Sequence, residues 1–106
     1  MDSATYVPAK YRQQALTAIS RDIEREGWNP ILITDPPGHR YPPHQHIASK
    51  LLACVEGSMQ VEAGGEHFAC QSGDLLVIPG STTHSATTGP QGCTYFWSEQ
   101  AREIER

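Results

Sequence analysis

The stretch from Gly38 to Gly57, GHRYPPHQHIASKLLACVEG, contains two histidines one residue apart, His44 and His46. The double proline before them is typical of a strand start, where a missing backbone donor is tolerated. Alternate residues of a strand share one face, roughly 6.6 Å apart, so two imidazoles at this spacing can converge on one ion. The pair indicates a metal site, although two solvent-facing strand histidines remain the alternative for an isolated pair.

Glycine, proline and histidine recur at fixed spacings around this pair and again further along the chain. The residues that carry the spacing are Gly38, His44, His46, Gly57, Gly73, Pro79 and His84. This double pattern closely resembles the two motifs of the cupin family: Gly, five residues, His-x-His, three or four residues, Glu, six residues, Gly; then Gly, five residues, Pro-x-Gly, two residues, His, three residues, Asn. In the second motif this chain has Ser81 at the position of the glycine and Thr88 at that of the asparagine. The resemblance covers residues 38–88, and the flanking strands extend it to 31–97. It implies an all-β fold, a double-stranded β-helix barrel of the jelly-roll type. To this barrel the spacing of apolar residues near the N-terminus adds one predicted α-helix.

Composition agrees with an all-β chain and argues against several classes of function. Nine glycines and eight prolines among 106 residues favour turns and strands over a helical bundle. The net charge of −4, without a basic stripe, argues against a nucleic-acid partner. No apolar run approaches the roughly 20 residues that span a bilayer, and no apolar signal core is visible, so we expect no membrane and a cytoplasmic location. Three cysteines without a CxxC pattern predict reduced thiols rather than a disulfide.

We expect the whole chain to form one cupin domain with three parts. An N-terminal arm and helix occupy 1–30, with apolar residues at helical spacing predicting the helix over Tyr11–Glu26. The barrel occupies 31–98, and a charged tail, 99–106, is expected to continue a frayed helix that starts at Ser98. The predicted strand segments are Ile31–Thr34, His44–Glu56, Met59–Ala63, His67–Cys70, Leu75–Ile78, His84–Thr88 and Cys93–Trp97.

The resemblance implies a ligand set of two histidines and a glutamate from the first motif and one histidine from the second. His44, His46 and His84 match these positions, whereas Lys50 stands where the glutamate is expected. Cupins with three histidine ligands are a known variation. We therefore predict a divalent metal ion held by three neutral imidazoles, with Fe, Zn, Ni, Cu and Mn as candidates.

Lys50 leaves several alternatives open. It has the strand parity of the two histidines, so an unbroken strand points it into the same cavity, where it bends away, loses its proton or pairs with an anion. In a second interpretation it holds an anionic ligand together with the metal; in a third the metal site is lost, and in a fourth a bulge turns the side chain to solvent. Arg40, Tyr95 and Trp97 are the other candidate ligand-binding residues, the first at the barrel mouth and the last two on one strand face.

The leading functional hypothesis is a small metal-binding cupin that binds or transforms a small polar or anionic metabolite. Dioxygenase-type chemistry is the preferred enzymatic interpretation, because three neutral ligands with open positions suit Fe(II). A non-catalytic ligand-binding or sensor cupin is the first alternative. A sugar isomerase or epimerase, with His84, Lys50 or Tyr95 as acid and base, is the second. The resemblance also implies a homodimer, because small cupins often associate through their sheets.

Overall fold

Antiparallel strands make up most of residues 3–100, the part of the chain that the computed structural model describes. The elements are β1 Thr5–Val7, α1 Leu16–Arg25, β2 Ile31–Asp35, β3 Arg40–His44, β4 Ser49–Ala63, β5 Glu66–Gln71, β6 Leu75–Ile78 and β7 His84–Gln100. This content confirms the predicted all-β fold with one helix. No helix among the described residues is long and apolar enough to cross a membrane.

The two longest strands, β4 and β7, pair with each other and bend together. Their register shifts on either side of Glu56–Gly57, and the bend divides the strands into two layers. One layer has the order β1-β6-β4-β7-β2, and in the other β5 pairs with β4 while β3 pairs with β7. Gly57 and Gly92 meet at the bend with positive φ, and a Cβ on Gly57 would overlap the carbonyl oxygen of Gly92. The close approach of two backbones therefore requires glycine there.

Apolar side chains fill both sides of the first layer. Between the layers, Leu52 and Leu76 belong to a buried cluster that also lines the interior of the barrel. On the outer face, Ile23 of α1 is fully buried in a second cluster with Leu51 and Phe96. The apolar run Leu51–Cys54 is thus buried on both faces, and α1 packs on the outside of the barrel as the sequence indicated.

The N-terminal arm is bound to the barrel by a strand that the sequence did not reveal. β1 pairs with β6, and the hydroxyl of Tyr6 donates a hydrogen bond to the buried carboxylate of Asp74 at 2.6 Å. The same carboxylate accepts from the backbone N–H groups of Ala9 at 2.8 Å and Gln71 at 2.9 Å. One aspartate therefore joins the arm to the turn before β6.

Several predicted boundaries were wrong, for reasons of tertiary pairing. The helix begins at Leu16 rather than Tyr11, because Gln13 has a positive φ of 61°, which a right-handed helix cannot contain, and the backbone N–H of Tyr11 instead pairs with the carbonyl of Gly73 at 2.8 Å. The predicted strand His44–Glu56 is interrupted at 45–48.

Glycine at the bend does not end a strand here. β4 runs through Gly57, and β7 runs through 89–92, because the two strands stay paired with each other on both sides of the bend. The predicted helix from Ser98 is also wrong up to Gln100, since these residues pair with β4. The remainder of the tail, 101–106, lies outside the described residues.

Candidate metal centre and cavity

Three imidazoles converge at one end of the barrel. His44, the last residue of β3, pairs with His84, the first residue of β7, and His46 follows in the connection to β4. Each offers a ligand atom, and these atoms all lie within 4.8 Å of one another. The ring centroids of His44 and His84 are 4.3 Å apart. The structure thus brings together the three predicted ligands, although His46 reaches the site from a connecting segment rather than from a continuous strand.

Backbone carbonyls orient two of these rings. The Nδ1 atom of His44 lies 2.6 Å from the carbonyl oxygen of Pro42, and that of His84 lies 3.0 Å from the carbonyl oxygen of Thr82. A carbonyl only accepts, so Nδ1 carries the proton in each of these hydrogen bonds, and Nε2 is the atom that a neutral ring presents as a lone pair. Metal-bound histidines in proteins are commonly oriented by such a hydrogen bond from the second ring nitrogen.

The Nε2 atom of His84 is buried and has no hydrogen-bond partner among residues 3–100. Buried polar atoms are seldom left unsatisfied, because desolvation without a partner costs about 1–3 kcal/mol. Burial lowers the pKa of His84, and the pKa of His46 is lowered by desolvation and then by the charge of Lys50. Three imidazoles whose ligand atoms converge in this way fit a divalent metal ion, which would supply the missing partner.

Lys50 is buried near this centre, but its ammonium is already paired. It is 3 % exposed, and its Nζ forms an ion pair with the carboxylate of Glu99, its direct neighbour across β4 and β7. The ammonium also lies 5.9 Å from the ring centroid of Trp97. A hydrogen bond and the charge of Lys50 lower the pKa of Glu99. Of the alternatives for Lys50, the structure shows pairing with an anion, and that anion is the side chain of Glu99 rather than a bound ligand.

An apolar cavity of about 240 Å³ extends inward from the histidines. Its walls comprise Ile33, Tyr41, Leu52, Met59, Val61, Ile78, Ala86, Tyr95 and Trp97, together with the three histidines. The predicted ligand-binding residues Tyr95 and Trp97 are therefore in its wall. Lys50 and the exposed Arg40 are not among the residues that line it, so their ligand-binding roles remain predictions.

Two tyrosines of the wall, Tyr41 and Tyr95, share a contact with Asp35 behind the wall that the sequence did not reveal. The hydroxyls of Tyr41 and Tyr95 donate hydrogen bonds to the same carboxylate oxygen of Asp35, at 2.7 and 2.8 Å, and lie 3.2 Å from each other. Burial is the main cause that raises the pKa of each tyrosine. Nothing in the local sequence joins these three residues, because they come from three strands.

The cysteines lie away from the metal centre. All three are buried with free thiols, and the sulfur atoms of Cys54 and Cys93 are 3.5 Å apart. Cys54 shares the interior side of β4 with Leu52, in the cluster between the layers. The thiols therefore act as small core groups in the fold.

Two facing β-layers with a histidine triad at one end of an internal cavity are the arrangement of a cupin. A family model for the AraC-like ligand binding domain matches residues 31–103, and the chain belongs to this cupin-like family. A search of curated proteins finds no match.

Solved structures agree with this assignment. A protein from Neisseria meningitidis is 30 % identical with a TM-score of 0.58, over 71 % of this chain and 75 % of that one. KdgF from Halomonas sp. is 25 % identical with a TM-score of 0.59, over 73 % of each chain. The cupin domain of Cnp3 from Schizosaccharomyces pombe is 12 % identical with a TM-score of 0.67, over 74 % of this chain, which spans 58 % of that domain. The last similarity concerns the fold alone.

Proposed function

We propose that this chain is a metal-binding cupin that holds a small anionic metabolite in the cavity. The observation that carries the proposal is the buried Nε2 of His84, which has no hydrogen-bond partner in the part of the chain that the structure describes and belongs to a ring that lies close to two further imidazoles. A divalent ion held by His44, His46 and His84 would supply Lewis acidity and open coordination positions.

Charge favours an anionic group at those positions. The three imidazoles are neutral ligands, so a divalent ion would keep its full charge of 2+. Lys50 and Glu99 form an ion pair of zero net charge beside it, in place of the carboxylate ligand implied by the family resemblance. A carboxylate or enolate on the ligand would neutralise this charge inside an apolar cavity, where Coulombic attraction is strong.

Two kinds of function are compatible with such a site. The match to AraC-like ligand binding domains favours non-catalytic binding of a small molecule. Dioxygenase-type chemistry is the enzymatic candidate, because neutral nitrogen ligands with open positions suit Fe(II). Oxygen consumption by Fe(II)-loaded protein, measured with a panel of thiols, diketones and aromatic acids, separates the two. Turnover supports the enzyme, and saturable binding without turnover supports the binding protein.

The isomerase alternative has less support. A tyrosine acts as a base only when its pKa falls towards neutral pH, whereas burial and the neighbouring Tyr41 and Asp35 raise the pKa of Tyr95. Lys50 is held by Glu99. Two of the three predicted acid–base candidates are therefore placed unfavourably for that reaction.

Metal content tests the proposal directly. We expect protein purified without added metal to contain a divalent ion, and His44→Ala and His84→Ala to lose it. His67→Ala is the matched control, because His67 is an exposed histidine on β5 that hydrogen-bonds Gln60. Equal metal content in the wild type and the two cavity variants would contradict the metal site.

A further inference from the structure

The cavity has a second polar end, formed by Tyr41, Tyr95 and Asp35. Tyr41 and His44 of β3 pair with Ala86 and His84 of β7, which are two residues apart, or roughly 6.6 Å along a strand, because β3 is irregular between them. Tyr95 is buried and reaches the same carboxylate from β7. The wall between the two ends is mainly apolar, with Leu52, Val61 and similar side chains.

The hydroxyl protons of Tyr41 and Tyr95 already form hydrogen bonds within the protein. Both hydroxyl groups lie within hydrogen-bond distance of Asp35 Oδ2, which is the strongest acceptor available to them. If one tyrosine instead donates to the other, both protons still remain within the group, because the hydroxyl oxygens are 3.2 Å apart. Each hydroxyl oxygen consequently offers only lone pairs to a molecule in the cavity.

The charge of Asp35 strengthens this preference. No lysine, arginine or histidine forms an ion pair with it among residues 3–100. The carboxylate stands behind the two hydroxyls and is not itself in the cavity wall. The field at this end therefore favours a hydrogen-bond donor and opposes a second anionic group.

We propose that the ligand carries a hydroxyl or amino group that donates a hydrogen bond to Tyr41 and Tyr95 at the end remote from the histidines. The anionic group expected at the other end of the ligand rests on the proposed function, whereas the donor group does not. The two ends together define the substrate class. It is a small molecule with an anionic group, an apolar middle and a terminal donor. The cavity volume of about 240 Å³ corresponds to about eight water molecules of roughly 30 Å³ each, so the molecule is small.

The tyrosine end is tested without any metal, using neutral probes on chelator-treated protein. The probes are 4-methylphenol, which has a donor, and 4-methylanisole, which has the same shape with an acceptor only. Dissociation constants are measured by NMR titration. We expect 4-methylphenol to bind about tenfold more tightly, the usual value of one hydrogen bond to a polarised acceptor.

Variants identify the groups responsible. Tyr41→Phe and Tyr95→Phe should each reduce the preference for 4-methylphenol severalfold while 4-methylanisole binds as before. Two variants are used so that a loss of stability in one leaves the test intact, and circular dichroism checks the fold of each. Tyr6→Phe is the matched control, since Tyr6 also donates to an aspartate, Asp74, but is not among the residues that line the cavity.

Metal-loaded protein then tests the other end with 4-hydroxybenzoate, 4-methoxybenzoate and terephthalate. We expect the 4-hydroxy acid to bind most tightly and the diacid most weakly. A donor preference in metal-free protein without any gain from metal would refute the proposed function and leave the inference intact. Equal affinity for 4-methylphenol and 4-methylanisole, a preference that survives both tyrosine variants, or no binding of any probe would overturn the inference.

Discussion

The ion pair between Lys50 and Glu99 should stabilise the fold in an asymmetric way. Lys50 is 3 % exposed, whereas the side chain of Glu99 is 61 % exposed. Breaking a fully buried pair costs about 3–5 kcal/mol, and breaking an exposed one costs about 0–1 kcal/mol. In this pair Lys50 is buried and Glu99 is screened by solvent, so the cost should lie between these two ranges. We expect Glu99→Gln to lower the free energy of unfolding by about 1–2 kcal/mol.

The opposite substitution should cost much less. Lys50→Met removes the buried cation that needs a partner, keeps most of the side-chain volume, and leaves Glu99 hydrated by solvent. We expect a change in unfolding free energy within about 0.5 kcal/mol of the wild type, or a slight gain. In the double variant the Glu99→Gln change should add little, so the coupling energy of the cycle is about 1–2 kcal/mol.

Urea unfolding of chelator-treated protein measures all four corners of this cycle, because bound metal would itself add stability. The pH dependence follows from the lowered pKa of Glu99. The pKa of Glu99 in the folded protein lies below its ordinary value of 4.5, so its charge contributes fully to the stability of the fold above pH 4.5. This contribution is lost as the pH falls through the folded-state pKa. The cost of Glu99→Gln should therefore shrink below about pH 4.5. A larger loss for Lys50→Met than for Glu99→Gln at pH 7 would refute the reasoning.

Three further outcomes are expected. Lys50→Glu should raise the affinity for Zn²⁺ at least about tenfold in a chelator competition assay, because it adds a carboxylate beside the histidines. Lys50→Gln only removes a cation and should raise the affinity less, and unchanged affinity in both variants would contradict this expectation. Gly57→Ala should yield little folded protein by circular dichroism, whereas Gly65→Ala, which also has positive φ but no atom within 4 Å of an added Cβ, should fold with a modest loss. The pKa of Tyr6 is raised to about 12, so its stabilising contribution is complete below its ordinary pKa of 10 and is lost as the pH rises towards about 12. Tyr6→Phe should flatten the fall in urea-unfolding free energy over that range, and an unchanged slope would count against the Asp74 hydrogen bond.

Much of the fold was readable from local sequence. The strand Leu75–Ile78 was predicted with its exact bounds, because a short apolar run between turn residues has few alternatives. A Gly-Gly pair between two strand-like segments favours a two-residue hairpin turn, and Gly64 and Gly65 form that turn between β4 and β5 with positive φ. The errors fell where β4 and β7 bend together, because local glycine and proline signals do not distinguish a bent strand from two separate strands.

The candidate site was readable only in part. The three histidines were identified by their spacing, and the structure brings their ligand atoms together. Glu99 was assigned to a helical tail, although it shares the strand parity of Tyr95 and Trp97. Continuing that alternation by one step would have placed it on the same face.

The sequence by itself determined the family, the all-β class and the three histidines of the candidate site, because turn residues and side-chain types are local properties of a chain. Only the tertiary structure decided what stands beside them. Lys50 and Glu99 are separated by 49 residues and meet through the register of β4 and β7. Tyr41, Tyr95 and Asp35 meet because β2 and β3 both pair with β7. Cross-strand register depends on the packing of the whole barrel, so no local pattern specifies these contacts.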